Sequence, residues 1–244
     1  MEWSDDAIVL SVRAHGESAA IVDALTRGHG RHAGLVRGGA SRKSKAMLQP
    51  GNSLRVVWRA RLAEHLGSYT AEPARARAGR LLDRRAALAG LNAFTAVAQA
   101  VLPEREPHGP VYDAALVLLD AMVEGDFPDW GPLYVRWEAG LLEELGFGLD
   151  LSHCAATGAT DGLIFVSPRS GRAVSDSAGA PYRQRLLALP PFLLGSQNAV
   201  APADIAAGLK LTAHFLADRV LAPHGKDLPP ARLRLEELAE RESE

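Results

Sequence analysis

The sequence predicts an α+β protein in two parts, a five-stranded N-terminal barrel followed by a mainly helical domain. Short apolar runs separated by glycine-rich turns fill residues 1–73, which is typical of strands. From residue 74 onward the chain is rich in Ala, Leu and Arg, which favour helix. The charge divides in the same way, because residues 1–85 hold 15 Lys and Arg against 8 Asp and Glu, and residues 86–244 hold 12 against 21. We therefore expect a basic domain at residues 1–73 and an acidic one at residues 74–244.

Five strands are predicted in the first part. Residues 7–13 and 54–62 alternate between apolar and polar side chains, as a half-buried strand does. The other three strands are predicted at residues 19–25, in a run that ends at Leu35 and Val36, and at residues 66–71. The glycines within residues 26–34 indicate a turn. Closure of five strands into a barrel would remove exposed sheet edges, and an open sheet is the alternative.

The second part is predicted to contain four helices with apolar stripes. Helices with such stripes bury them against one another. A glycine-rich segment at residues 150–181 reads as irregular, with one short strand at residues 163–166. The polar segment from residue 229 is expected to fray. The predicted helices cover residues 74–102, 111–124, 132–145 and 203–221.

Several classes of protein are excluded by what the sequence lacks. No run of about 18 apolar residues exists, and the acidic N-terminus does not resemble a signal peptide. The single cysteine, Cys154, cannot form an internal disulfide, so a cytoplasmic location is expected. No phosphate-binding loop, nucleophile elbow or metalloprotease motif occurs. We therefore expect no enzymatic activity and no cofactor.

A zinc site is not expected either. A structural zinc ion needs four ligands, which are usually cysteines and histidines in pairs. Cys154 stands alone, and Thr157 occupies the position of the second cysteine in a CxxC pair.

An acid-free segment is the strongest functional signal. Between Asp23 and Glu64 there is no acidic residue, whereas nine Arg or Lys occur. Cations that neutralise phosphates supply most of the affinity for nucleic acid, although a merely solvated basic face is the alternative. Trp58 is assigned to the core, and residues 36–54 to a flexible loop between two strands. The candidate DNA-binding residues are Arg31, Arg37, Arg42, Lys43, Lys45, Arg55, Arg59 and Arg61.

The chain resembles the RecO family of bacterial DNA repair and recombination mediators over nearly its whole length. The resemblance rests on residues 5–39, on "LQPGN" after the basic loop, and on "YVRWEAGLLEELGFGLDLSHCAATG", "FVSPRSGRAVS" and "GAPY" in the second half. It implies that the barrel is a DNA-binding OB-fold. It also implies a degenerate zinc-finger-like insertion at about residues 150–181, because some members have four cysteines in this insertion and this sequence keeps only Cys154.

The resemblance further implies a function in the RecF pathway. Members of the family bind single- and double-stranded DNA, anneal complementary strands, and act with RecR. They help to load RecA onto DNA coated by single-strand-binding protein, whose acidic C-terminal tail they contact. For this tail we expect a groove in the helical domain with Arg136 or Arg219 as carboxylate partner.

Two other hypotheses remain open. A protein-interaction adaptor would use the basic patch to dock an acidic tail and would touch DNA only incidentally. A nuclease would cut DNA in the presence of a divalent metal ion.

Overall fold

The computed structural model describes residues 1–196 and 198–243, and its chain forms two compact units. The first unit comprises Met1–Glu124 and the second Gly125–Glu244. The predicted boundary after residue 73 separates strands from helices, whereas these units are defined by packing, so the first unit includes helices that follow the barrel. Within the described residues, no helix combines the length and apolar character needed to cross a membrane.

A closed five-stranded barrel forms the start of the first unit, which confirms the predicted α+β class. The strand order around the barrel is β1-β2-β3-β5-β4, and all neighbours are antiparallel except β3 and β5. That parallel seam is short, since it pairs only Leu35 with Ser68 and Val36 with Tyr69. The strands are β1 (Glu2–His15), β2 (Ala19–Thr26), β3 (Gly30–Val36), β4 (Ser53–Arg59) and β5 (Ser68–Arg75).

Alternation along the strands builds the barrel core. On β4, Leu54, Val56 and Trp58 are buried and Arg55 and Arg59 are exposed, as predicted. Apolar side chains that point inward from all five strands share this core, because burial of their surface is the main favourable contribution to folding.

Two of the barrel predictions were wrong in detail. The first strand begins at Glu2 and not at residue 7, so the acidic residues before Ala7 lie on β1 and pair with β4. The predicted turn at residues 26–34 is confined to three residues, because β3 resumes at Gly30. Gly30 has φ of +67°, a backbone conformation that favours glycine.

Helix α1 (Arg42–Met47) lies between β3 and β4, and three further helices follow the barrel within the first unit. They are α2 (Ala78–Leu81), α3 (Arg85–Val101) and α4 (Gly109–Glu124). The single helix predicted over residues 74–102 is therefore wrong, because β5 continues to Arg75 and residues 82–84 separate α2 from α3. Buried Arg77 fixes the connection between β5 and α2, since its Nε pairs with Asp120 at 2.5 Å and its backbone N–H donates to Asn52 at 2.8 Å.

The second unit is mainly helical. Its longer helices are α5 (Phe127–Glu144), α7 (Pro202–Phe215), which continues as a π-helical turn over Leu216–Leu221, and α8 (Pro230–Glu242). The predicted start of α5 at residue 132 is corrected to Phe127. The Asp129 carboxylate accepts a hydrogen bond from the Asp126 N–H at 2.8 Å, which caps the earlier start, and Pro132 lies inside the helix.

A small sheet lies between α5 and α7. It consists of β6 (Leu163–Val166), β7 (Ala173–Ser175) and β8 (Leu187–Ala188) in the order β7-β6-β8, with the short helix α6 (Asp176–Gly179) after β7. The predicted strand at residues 163–166 is confirmed.

The expected fraying from residue 229 was wrong, because α8 is anchored by a buried ion pair. Arg232 is fully buried, and its guanidinium donates to both carboxylate oxygens of Glu138, at 2.6 and 2.9 Å. It also donates to the Leu209 carbonyl at 2.6 Å. The sequence around Arg232 is polar overall, and its pattern gives no sign that this one cation is buried.

Candidate nucleic-acid interface

Arg42, Lys43 and Lys45 lie on a short helix rather than on a flexible loop. This helix, α1 (Arg42–Met47), begins after Ser41, whose Oγ accepts a hydrogen bond from the Ser44 N–H at 3.2 Å. Serine is a favoured N-cap, because its side chain satisfies one of the free N–H groups of the first turn. The three cations are exposed. The helix therefore presents them to solvent from a defined backbone, which corrects the predicted loop.

Five of the predicted cations have no acidic partner among residues 1–196 and 198–243. No carboxylate lies within 4.0 Å of their charged nitrogens, whereas other arginines of the same barrel are paired. An exposed cation without a partner can neutralise a phosphate without first losing an ion pair. These five residues are Arg37, Arg42, Lys43, Lys45 and Arg61.

A groove of about 510 Å³ beside α1 includes one of these five cations, Arg37, in its lining. It lies against the short β3–β5 seam, and α1 contributes Ser44 and Met47 to its lining. Arg59 also lines it. Hydroxyl-bearing side chains from β5 add hydrogen-bond donors for phosphate oxygens. The groove thus combines cationic and hydroxyl-bearing side chains, which are groups that contact phosphates in nucleic-acid complexes.

The two arginines on the exposed face of β4 are paired with acids of β1. Arg59 contacts Glu2 at 2.7 Å, and Arg55 lies 3.5 Å from Asp6. The hydrogen bond from Arg59 lowers the pKa of Glu2. Exposed pairs of this kind are weak and exchange readily. The acid-free segment did not reveal these pairs, because the acids come from a strand that is distant in sequence.

Arg31 is placed away from solvent. Its guanidinium donates to Asp23 at 3.0 Å and to the Leu102 carbonyl at 3.0 Å, and it reaches Glu104 at 3.4 Å. Only 15% of its side chain is exposed. These contacts connect β3 to the segment after α3 and leave Arg31 little capacity to bind a phosphate.

Arg31→Ala is expected to lower stability without changing the electrostatics of DNA binding. Loss of the hydrogen bonds should cost about 1–3 kcal/mol, because Asp23 and the Leu102 carbonyl lose a charged donor. Urea denaturation measures this cost. The slope of log K against log salt for single-stranded DNA should stay at the wild-type value, and a flatter slope would instead place Arg31 on the DNA.

An aromatic cluster at one end of the barrel was missed from the sequence. Trp3 stacks on His29 with ring centroids 4.0 Å apart, and on Trp58 at 5.5 Å. His32 meets Trp3 and Trp58 edge to face, and burial lowers its pKa. The signal was available in principle, since Trp3 is opposite Trp58 once β1 is extended to Glu2.

Arg136 and Arg219, the predicted partners of an acidic tail, are each stacked on a phenylalanine of the second unit. Arg136 lies over Phe192 at 5.8 Å and donates to the Phe192 carbonyl at 2.8 Å. Arg219 lies over Phe215 at 4.7 Å and donates to the Arg169 carbonyl at 3.1 Å. Phe192 also lines a small pocket of about 160 Å³, together with apolar Pro191 and Val200 and polar Asn198 and Asp204.

The residues around Cys154 do not fit a zinc ion. Within the described part of the chain, no group of three or more His, Cys, Asp or Glu is placed to hold a metal. The Cys154 sulfur instead accepts hydrogen bonds from the N–H and Oγ of Ser175, at 3.3 and 3.4 Å. The bonds from Ser175 and Thr157 lower the pKa of the thiol to about 6.

Two family models of recombination proteins match the chain. The model described as "Recombination protein O N terminal" matches residues 1–77, and "Recombination protein O C terminal" matches residues 82–228. The barrel carries exposed cations, and both it and the helical region match such models. The chain is therefore a protein of DNA repair and recombination. The chain belongs to the RecO family, which confirms the resemblance seen in its sequence.

Curated relatives are similar over nearly the full length. "DNA repair protein RecO" of Cereibacter sphaeroides is 53% identical over 243 residues, which is 99% of this chain and 100% of the relative. The protein of the same name from Rhodospirillum centenum is 54% identical over 236 residues, 96% of this chain and 93% of the relative. That of Caulobacter vibrioides is 53% identical over 242 residues, 98% of each.

Proposed function

We propose that this chain is a non-enzymatic mediator that holds DNA on the groove beside α1. The single observation that carries the proposal is the set of unpaired, exposed cations at this groove: Arg37 lines it, and Arg42, Lys43 and Lys45 project from the helix that forms one wall. Backbone-directed cations bind single strands of any sequence. Arg61 extends the same charge beyond β4. Arg55 and Arg59 contribute when a phosphate displaces their weak ion pairs.

The same surface supports annealing of complementary strands. Two single strands repel each other until their phosphates are neutralised, and a cationic surface lowers that repulsion for both. We therefore propose that the protein anneals DNA, binds double-stranded DNA as well, and helps to load RecA onto DNA coated by single-strand-binding protein in concert with RecR. Membership of the RecO family supports these partners.

For the acidic C-terminal tail of single-strand-binding protein, we propose the surface next to Arg136. There the Arg136 guanidinium lies over the Phe192 ring, and this ring also lines a small pocket of mixed polar and apolar character. A cation beside an aromatic ring suits a peptide that ends in an apolar side chain and a carboxylate. Arg219 over Phe215 offers the same pair of groups at a second place in the helical domain.

A salt titration tests the proposed function. Fluorescence anisotropy of a labelled 30-nucleotide single strand is measured from 50 to 300 mM salt. With four unpaired cations engaged, log K should fall with log salt with a slope of about −3, at roughly −0.7 per phosphate neutralised. A slope near zero would exclude the proposal.

Incubation of the DNA with protein and magnesium or manganese should leave it intact, and cleavage would indicate a nuclease.

The adaptor hypothesis gives a different result in the same assay. An acidic tail peptide added as competitor should leave DNA affinity almost unchanged if DNA occupies the groove and the peptide binds near Arg136. Full displacement of the DNA by the peptide would show that the basic patch is the peptide site.

A further inference from the structure

The rings of Trp58, Trp3 and His29 form a stacked column at one end of the barrel, and the strand arrangement sets their order. Because β1 lies between β2 and β4, Trp3 reaches Trp58 of β4 on one side and His29, three residues beyond β2, on the other. The ring planes are nearly parallel, with angles of 8° between Trp3 and His29 and 17° between Trp3 and Trp58.

Asp5 fixes the ring at the end of this column. Its Oδ2 accepts hydrogen bonds from the Gly28 N–H and from His29 Nδ1–H, both at 2.8 Å. The carboxylate therefore sets the orientation of the imidazole and, in the neutral ring, leaves Nε2 as a hydrogen-bond acceptor.

The column is open at the His29 end. Trp58 is 2% exposed, whereas 36% of the His29 side chain remains exposed. Among the described residues, no further ring stacks on His29 besides Trp3. A pocket of about 300 Å³ is lined by all three rings of the column, Trp3, His29 and Trp58, and by Glu2. The partly exposed His29 ring thus borders this pocket, where a planar group can stack on it.

We propose that this pocket binds a single unstacked nucleobase of single-stranded DNA, which stacks on His29 and extends the column. The proposal rests on the proposed function, because the backbone of the same strand would lie in the groove beside α1. Glu2 lines the pocket and its ion-pair partner Arg59 lines the groove, so the two sites adjoin. Aromatic rings stack on every base, and such stacking adds affinity without sequence preference.

An acidic peptide fits this pocket less well than a base. The guanidinium of Arg105 lines the pocket, but its Nη2 already donates to the carbonyls of Glu64 and His65, at 3.0 and 3.1 Å. The Glu2 carboxylate in the same lining would repel a carboxylate ligand. A neutral base meets no such opposition and can donate a hydrogen bond to His29 Nε2.

The test compares two ligands of equal charge on the full chain, a 30-nucleotide oligothymidine and a 30-nucleotide backbone of abasic residues. For the wild type we expect about tenfold weaker binding of the abasic strand, in line with the value of one stacked base. His29→Ala should bind both strands with nearly equal affinity, at the wild-type affinity for the abasic one. His29→Phe keeps a ring and should keep the discrimination.

His15→Ala is the matched control, because His15 is an exposed imidazole at the far end of β1 and should leave the ratio unchanged. Oligothymidine should also quench tryptophan fluorescence more than the abasic strand does, and Trp3→Phe should remove that difference. This second readout keeps the proposal testable if a His29 variant folds poorly.

Three results would overturn the inference. Equal wild-type affinity for both strands would mean that no base is bound, and discrimination retained in His29→Ala would place the stacked base elsewhere. Loss of binding of an acidic tail peptide in His29→Ala, with the DNA ratio unchanged, would assign the pocket to a protein partner. Failure of the proposed function looks different, because then neither strand would bind with a salt-dependent affinity.

Discussion

Replacing Arg42, Lys43 and Lys45 together by glutamine will weaken binding of single-stranded DNA by about two orders of magnitude at 0.1 M salt. Each phosphate contact contributes roughly −0.7 to the slope of log K against log salt, so three contacts are worth about a factor of 100 at this concentration. Glutamine keeps the helix propensity of α1 and removes only the charge. Anisotropy of a labelled mixed-sequence 30-mer measures the affinity at each salt concentration.

The slope of log K against log salt decides between the possible results of this experiment. It should become less negative by about 2 in the triple variant, and the loss of affinity should be the same for strands of any sequence. A second triple variant, Lys210→Gln with Arg234→Gln and Arg241→Gln, removes three exposed cations from the other unit and serves as control. An unchanged slope in the first variant, or an equal change in both, would place the DNA away from α1.

Glu138→Ala will destabilise the helical unit by about 3–5 kcal/mol, because it leaves the buried guanidinium of Arg232 without its counter-ion. Burial alone would lower the pKa of Arg232, but the Glu138 carboxylate outweighs it and the net shift is upward, so the side chain stays charged. Glu138 also accepts a hydrogen bond from Thr212 Oγ1 at 2.5 Å, which the substitution removes. Urea denaturation followed by circular dichroism gives the change in the free energy of unfolding.

The double variant Glu138→Leu with Arg232→Met distinguishes the loss of the whole ion pair from the loss of one partner. Apolar replacement of both partners of a buried ion pair is commonly neutral or stabilising, so the double variant should recover most of the stability lost in Glu138→Ala. Glu143→Ala removes an exposed carboxylate from the same helix and should change little. If Glu138→Ala unfolded at the wild-type midpoint, the ion pair would not anchor α8.

The sequence predicted local patterns well and long-range partners poorly. Alternation in β4 placed Leu54, Val56 and Trp58 inward, and this needed only the period of a strand. The pairing of Arg59 with Glu2 could not be predicted, because it depends on the register between strands 57 residues apart in sequence. Charge counting therefore overstated the number of free cations on β4.

In the candidate site, too, local features were predicted from the sequence and features that depend on distant segments were not. The cations of α1 were found from composition alone, because no acid occurs nearby in sequence. Their helix was missed, since Gly and Ser before it suggested a loop and the Ser41 cap is a local signal that was overlooked. The Trp3–His29–Trp58 column needed three segments brought together by barrel closure, which no single window of sequence contains.

The ion pair between Glu138 and Arg232 has a consequence for biosynthesis. These residues are 94 positions apart, so the ribosome has long passed Glu138 before the cation that neutralises it is made. The barrel strands, in contrast, are complete by Arg75. Domains generally fold as units during translation, and the nascent chain can therefore acquire its barrel early. The helical unit can complete its packing only after α8 has been synthesised, and until then the Glu138 carboxylate stays hydrated.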